Sequence, residues 1–355
     1  MWDVAIVGSG PAGASCAAFC ARAGLRTLVL ERARFPREKV CGDCLNPSCW
    51  PVLERLQIAD ALRVLPHGRL KRVEFVPIKG AVLSISLPGG GEIALKRSLL
   101  DQLLLQRAVS LGANVLENNT VSAICRGEQS WRLTVGSSEL EARVLVAADG
   151  RNSTVARLLG LLPPSARERV GLQTHCPLPA DFGNRIVLQF LPDGYSGQAP
   201  VGDGQLNVCL VATPPRIAAV KRWAEVRFDL RSTHEWRTIT PLRRDALAPA
   251  AERLFLVGDA ARVVEPFTGE GIFYALRSGE LAAQAIATGE GGAAGYAKAH
   301  EHLYRGRLWI NRLARAAVLH PRLTSALLPL ARWRPELLSY LTGKVAAGAE
   351  SGVTR

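Results

Sequence analysis

The apolar positions of this chain gather into short runs broken by glycine- and proline-rich turns. Asp3 to Val7 is an apolar run that stops at a glycine, which reads as a buried strand. Ala14 to Ala23 carries helical spacing among good helix formers, and "RTLVLE" is a second strand ending in Glu31. The same order recurs twice. "LEARVLVAADGRNSTVARLLG" predicts a strand ending at Asp149-Gly150, then a helix through Arg157. "AERLFLVGDAARVVEPFTGEGIFYALRSGELAAQAI" predicts a strand ending at Gly258-Asp259, a loop with Pro266, and a helix from about Glu270. Between these lie "RVEFVPI", "VLSISL", "EIAL", "RIVLQFL", "QLNVCLVA" and "WRTITPL", β-rich and partly alternating.

The first strand and helix enclose Gly8, Gly10 and Gly13 as G-x-G-x-x-G. Gly8 permits the tight turn, Gly10 lets backbone approach a pyrophosphate, and Gly13 allows close helix–strand packing, with Pro11 and Ala12 between them. The helix N-terminus then faces phosphates, and Glu31, with Arg32 beside it, is placed to accept from ribose hydroxyls. FAD and NAD share this fingerprint, so the choice falls to the later segments. Asp149 and Asp259 at strand ends can bond a ribityl chain. The helix after Gly269 and Gly271 can point its dipole at a flavin and stabilise negative charge on the reduced ring. The predicted fold is α/β. A Rossmann-like FAD-binding domain takes 1–70, 96–160 and 250–290; an inserted β-rich substrate domain takes 71–95 and 165–245; a helical C-terminal segment takes 291–355.

A length of 355 residues accommodates about two domains. Eight scattered cysteines predict a reducing compartment and mostly buried thiols. The N-terminal residues lack the pattern of a signal peptide, and no apolar stretch reaches the roughly 20 residues that cross a bilayer, so a cytoplasmic protein is expected. Net charge is +13, and residues 296–355 carry ten Lys/Arg against three acids. Without zinc-finger spacing, an RNP-like motif or a lysine run, nucleic acid is not an expected partner. The six histidines are dispersed and predict no metal site. A monomer is the simplest expectation.

Taken together, these segments resemble the flavoprotein group of aromatic hydroxylases, flavin-dependent halogenases and geranylgeranyl reductases, over nearly the whole chain. "FPREKVCGDCLNP", "LKRSLLDQLLLQRA", "GYSGQAPVGDGQLNVCL" and "PFTGEGIFYAL" look most like the geranylgeranyl reductase branch. The resemblance implies that Arg97 contacts the cofactor, with Asp101 on the same helix, and that Cys41 and Gly42 approach the isoalloxazine. It also implies that Pro266, Gly269, Gly271 and Ile272 border the flavin. "KVCGDCLNPSC" matches a redox dithiol in spacing, yet no second G-x-G-x-x-G accompanies it, so Cys44 and Cys49 are expected to be packing thiols. Glutathione-reductase-like disulfide chemistry and a flavin-binding protein without turnover are the weaker alternatives.

The reductases of this group carry an aromatic box, Tyr-x-Trp-x-Phe-Pro; here it reads "YSGQAP", so Gly197 and Ala199 replace two rings. A widened pocket for a hydrophobic prenyl- or polyketide-like substrate is implied, with reduction of a carbon–carbon double bond the leading reaction and NAD(P)H the reductant. Hydroxylation of an aromatic or quinone ring is the alternative, while the tryptophan-containing motif of halogenases is absent. Cys41, Tyr195 and Glu270 are the candidate acid/base groups. The segment 296–347 mixes leucines, Trp309 and Trp333 with arginines and predicts short helices touching a membrane surface.

Overall fold

The structure, a computed structural model, describes residues 1–88, 91–163, 168–289, 292–331 and 343. Its first layer is an eight-stranded sheet with the parallel order Leu254–Leu256, Ser138–Ala147, Trp2–Val7, Thr27–Leu30, Asn114–Leu116. The register aligns Val7 with both Leu30 and Ala147, and Ala147 with Leu256. Ladder bonds continue one residue further, Gly8 N to Leu30 O at 2.8 Å and Ala148 N to Val7 O at 2.8 Å. The strands therefore end together, and Gly8, Glu31, Asp149 and Gly258 leave the same carboxyl edge. Ligands of open α/β sheets bind at that edge.

The first helix, Pro11–Arg22, packs against Gly271–Thr288 with almost no side chain between them. At that crossing a Cβ at Gly279 would lie 2.3 Å from Ala12 O, and on the sheet side of the first helix one at Gly13 would lie 1.9 Å from Gly8 O. Small residues at these crossings let the backbones approach, and Ser15 Oγ adds a hydrogen bond to Leu276 O at 2.9 Å.

A second sheet of seven strands stands over the carboxyl edge, ordered Arg237–Ile239, Val170–Pro177, Gln205–Ala212, Gly194–Gly202, Arg185–Leu191, Arg72–Val76, Leu83–Ser86. The expected strand "EIAL" does not join it: Glu92–Ala94 pairs with Cys44–Leu45 and Gly68–Leu70 in a small third sheet. That sheet fixes the loop before Cys44 between the two layers. The C-terminal segment begins with two short helices, Gly292–Tyr304 and Leu308–Leu319, separated at Gly306, whose φ of 74° is left-handed. Pro321–Ala331 follows as a separate helix.

Gly279→Ala is expected to force the two helix backbones apart and cost about 1–3 kcal/mol, seen as a lower urea midpoint. Gly295→Ala, where an added Cβ meets nothing within 4 Å, should leave the midpoint unchanged or raise it.

Candidate functional site

A single cavity of about 1050 Å³ runs from the carboxyl edge of the first sheet to the underside of the second. Its polar end is a cationic cradle at the N-terminus of Pro11–Arg22. A Cβ at Gly10 would have only Arg37 Nη2 at 3.8 Å and Arg97 Nη2 at 4.0 Å near it, so the space in front of this turn is open and bounded by guanidiniums. Asp101 holds both of them, accepting from Arg97 Nε at 2.7 Å and from Arg37 Nη1 at 3.1 Å. Lys39 lines the same cavity. Burial, then the charges of Arg37, Arg97, Arg32 and Arg151, push its ammonium down to about 8. Positive charge in excess of what Asp101 and Glu31 offset, beside helix N–H groups with no side-chain cap, is what a dianionic pyrophosphate satisfies.

Glu31 closes the cradle. It accepts from Ser9 N at 3.0 Å, Ser9 Oγ at 2.7 Å and Ala33 N at 2.9 Å. Burial opposes its ionisation, but Arg37 and these bonds outweigh burial and hold the carboxyl below its ordinary range. Asp149 Oδ2 accepts from Val155 N at 3.0 Å, while its Oδ1 is buried with no protein partner. Asp259 pairs with Arg151 at 3.0 Å. An acceptor for ribose, a buried orphan oxygen and the cationic turn together fit FAD. Bound there, FAD supplies two-electron chemistry; the protein's part is to hold it and shape the space beside it.

That space is apolar. Phe267 packs edge-on to Tyr195 with ring centroids 5.3 Å apart, and Phe190 and Phe75 stand 6.0 and 6.4 Å from it. These four rings line the chamber although the sequence box has lost two. At Gly197 an added Cβ would meet only Leu188 Cδ2, at 3.7 Å, so the strand leaves open room where the box would carry a ring. The N-terminal turn of Gly271–Thr288 faces the cavity through Gly271 and Ile272.

All the sequence-predicted cofactor residues line the cavity except Gly13 and Gly258. Those two act from behind: Gly13 seats the first helix on Gly8, and a Cβ at Gly258 would meet Ala12 Cβ at 3.0 Å. Cys41 and Tyr195 also line the cavity, and burial pushes both above their ordinary ranges. Glu270 does not. Its carboxyl turns away into the C-terminal helices, accepting from Arg307 Nη1, from Asn311 Nδ2 at 3.3 Å and from Tyr274 Oη at 3.3 Å. This ion pair explains why an acid at the head of that helix is buried, and it removes Glu270 from the acid/base candidates. Cys49 is a fully buried packing thiol, whereas Cys44 lines the cavity; both are free.

The sequence missed three parts of the site. The C-terminal helices form a wall through Ile310, Leu313, Ala314, Ala317 and Leu328. Glu92 lines the cavity and burial pushes it up to about 7. Asp43 pairs with His175, whose Nε2 lies 2.8 Å from Oδ2. These pairings span up to 132 positions, and no local pattern announces them.

Residues 1–173 match the FAD binding domain family. The menaquinone reductase of Mycolicibacterium smegmatis is 32% identical, over 93% of this chain and 87% of that one. A digeranylgeranylglycerophospholipid reductase of Methanoculleus marisnigri is 29% identical, over 80% of this chain and 76% of its own. A flavin-dependent brominase superposes with a TM-score of 0.77 at 20% identity, covering 96% of this chain and 93% of its own. The myxobacterial chondrochloren halogenase gives 0.74 at 21%, covering 98% and 97%. The last two share the fold.

Glu31→Ala and Asp259→Ala should each weaken FAD binding by about 0.5–1.5 kcal/mol or more, read by flavin fluorescence titration of apoprotein. Unchanged affinity in both would place the dinucleotide elsewhere.

Proposed function

Because this chain belongs to the flavoprotein family of menaquinone and geranylgeranyl reductases, we propose that it reduces a carbon–carbon double bond in a prenyl-bearing hydrophobic molecule, with NAD(P)H as reductant. The observation that carries this is the continuity of the cavity: the cationic cradle opens without a partition into the aromatic chamber. A chain lying there is held by dispersion against Phe75, Phe190 and Phe267 and kept from water. The space beside Gly197 admits more than a slim isoprenoid, so a substrate carrying a ring as well as a prenyl chain fits best. The cofactor loop is clamped for this work. Glu265 N donates to Asn311 Oδ1 at 2.8 Å, and Arg169 holds the Glu265 carboxylate at 3.0 and 2.7 Å, both side chains buried.

We also propose that the C-terminal helices rest on a lipid surface from which the substrate is drawn. Trp309, Leu323 and Leu327 are exposed at 46%, 59% and 51%, while Ile310, Ala314 and Leu328 on the same two helices face the cavity, and Leu313, half exposed, stands at its rim. Arg312 and Arg322 are exposed beside them, whereas Arg307 and Arg315 are committed to Glu270 and Glu168. Trp333, Arg332 and Arg334, which the sequence reading also placed at the lipid, lie outside the described residues. No described helix is long and apolar enough to span a membrane.

Turnover with prenylated quinones under strict anaerobiosis tests the reaction. Loss of one double bond per NAD(P)H without oxygen is expected; a product formed only in air and carrying a new hydroxyl would replace reduction with oxygenation. Sedimentation with anionic vesicles tests the surface. Binding should fall with added salt and drop severalfold in Trp309→Ser/Leu323→Ser with unchanged circular dichroism. Equal sedimentation of variant and wild type would leave these helices as a wall alone.

A further inference from the structure

The strand Glu92–Ala94 carries an acid into the apolar chamber. Its pairing sets Leu70 opposite Glu92 and Cys44 opposite Ala94, so these four side chains share one face, while Ile93 and Leu45 share the other. Ile93 and Leu45 pack into the core of the cofactor domain. Leu70, Ala94 and Cys44 pack instead with Val73, Leu87 and Ala199 under the second sheet. Ala199 is one of the two box positions that lack a ring, and Gly197, the other, lies on the same strand. Glu92 is only partly buried and lines the cavity there, so its carboxyl is open to whatever enters. Among the described residues no hydrogen bond or cation meets it, and burial alone acts on the group, pushing it up to about 7. A carboxyl left bare in an apolar wall penalises any ligand that covers it without bonding to it.

We infer that Glu92 is the specificity residue of the chamber, donating a hydrogen bond to a carbonyl oxygen on the ring of the substrate. The inference rests on the reading of a ring-bearing prenyl substrate and names what the ring must carry. A ligand that fills the chamber displaces water from Glu92 and drives it further toward the neutral acid. That acid has one proton to donate, and a carbonyl oxygen accepts it, whereas a bare isoprenoid covers the group and offers nothing in return. Other polar side chains along the cavity are already bonded. Thr268 Oγ1 donates to Glu265 O at 2.9 Å, Gln198 Nε2 donates to Ser196 Oγ at 3.2 Å, and Asp43 is paired with His175, its second oxygen buried out of reach. Tyr195 presents a phenol that burial pushes up from a range already high, so a hydrogen bond from it does not vary near neutral pH.

The acid form is the donor, so affinity is full below the Glu92 midpoint and falls as pH rises through it. The titratable groups that feel its charge are the thiols of Cys44 and Cys49, which burial first and Glu92 second push up, away from neutrality. On the neighbouring strands, Arg72 and Glu74 alternate with Val73 to the opposite face and pair at 2.9 Å, Arg69 and Lys71 are exposed, and Gly194–Gly202 carries no charge. Arg97, just after Glu92–Ala94, is held by Asp101.

The test titrates FAD-loaded, oxidised protein by calorimetry with a 1,4-quinone bearing a short prenyl chain, and with the same prenylated ring without its oxygens. No reductant is present, so binding alone is read. Quinone affinity in the wild type should fall severalfold from about pH 6 to about pH 9, with proton uptake on binding seen by comparing buffers of different ionisation enthalpy. Glu92→Gln, whose amide donates at every pH, should bind within about threefold of the acid form and lose both the pH dependence and the proton uptake. Glu92→Leu should bind the quinone about 3- to 10-fold more weakly, and the oxygen-free ring no more weakly than wild type. Wild-type quinone affinity in Glu92→Leu, or a pH dependence that persists in Glu92→Gln, overturns the inference. So does affinity that rises with pH, the sign of a hydroxyl or ammonium held by the carboxylate. Should Glu92→Leu lose its flavin, Glu92→Gln decides. A wild type that binds the quinone as expected but reduces no prenyl alkene overturns the reductase reading and leaves this inference standing; a wild type that binds neither probe overturns this inference whatever it reduces.

Discussion

Val7, Leu30, Ala147 and Leu256 stand in one row across the parallel sheet, and every other part of the site depends on that alignment. Because the strands stop together, the glycine turn, the ribose acid and the aspartates at 149 and 259 emerge at one edge. Backbone N–H groups of the first helix accumulate there, and Arg37, Arg97 and Lys39 add full charges. An edge this positive in a partly buried cleft is costly by itself, and Asp101 beneath Arg37 and Arg97 is the internal counterweight. The dinucleotide completes a balance the protein leaves unfinished.

The second consequence is geometric. A sheet can roof that edge only if something spaces it away from the cofactor, and the loop from Cys41 to Cys44 does so. It is pinned below by the small sheet through Cys44 and Ala94, and above by Asn207 and Cys209. The chamber beside it is apolar because the roof strands alternate, turning Leu188, Phe190 and Tyr195 inward.

The cofactor half was legible because its constraints are local. Gly8, Gly10 and Gly13 are required within six positions, and Glu31 follows at the end of the next strand, so spacing alone carries the reading. Glu270 misled for the same reason: proximity to Gly269 and Gly271 in sequence says nothing about which way a side chain turns, and Arg307, 37 positions later, settles it. The His175 contact with Asp43 and the wall from Ile310 to Leu328 are tertiary facts. The mixture of leucines, tryptophans and arginines in the C-terminal segment announced short helices but could not say that their inner face would meet a cavity.

That wall has a bearing on the order in which the molecule is made. The cradle and its supporting helix are complete in the sequence at Thr288, whereas the wall begins at Leu308. During synthesis the dinucleotide site emerges first, with the chamber still open along one side. The segment that closes it also ties down Glu265 and Glu270 through Asn311 and Arg307. Closing the chamber and fixing the loop around Glu265 and the head of the helix at Glu270 are thus one event, made by the last described part of the chain.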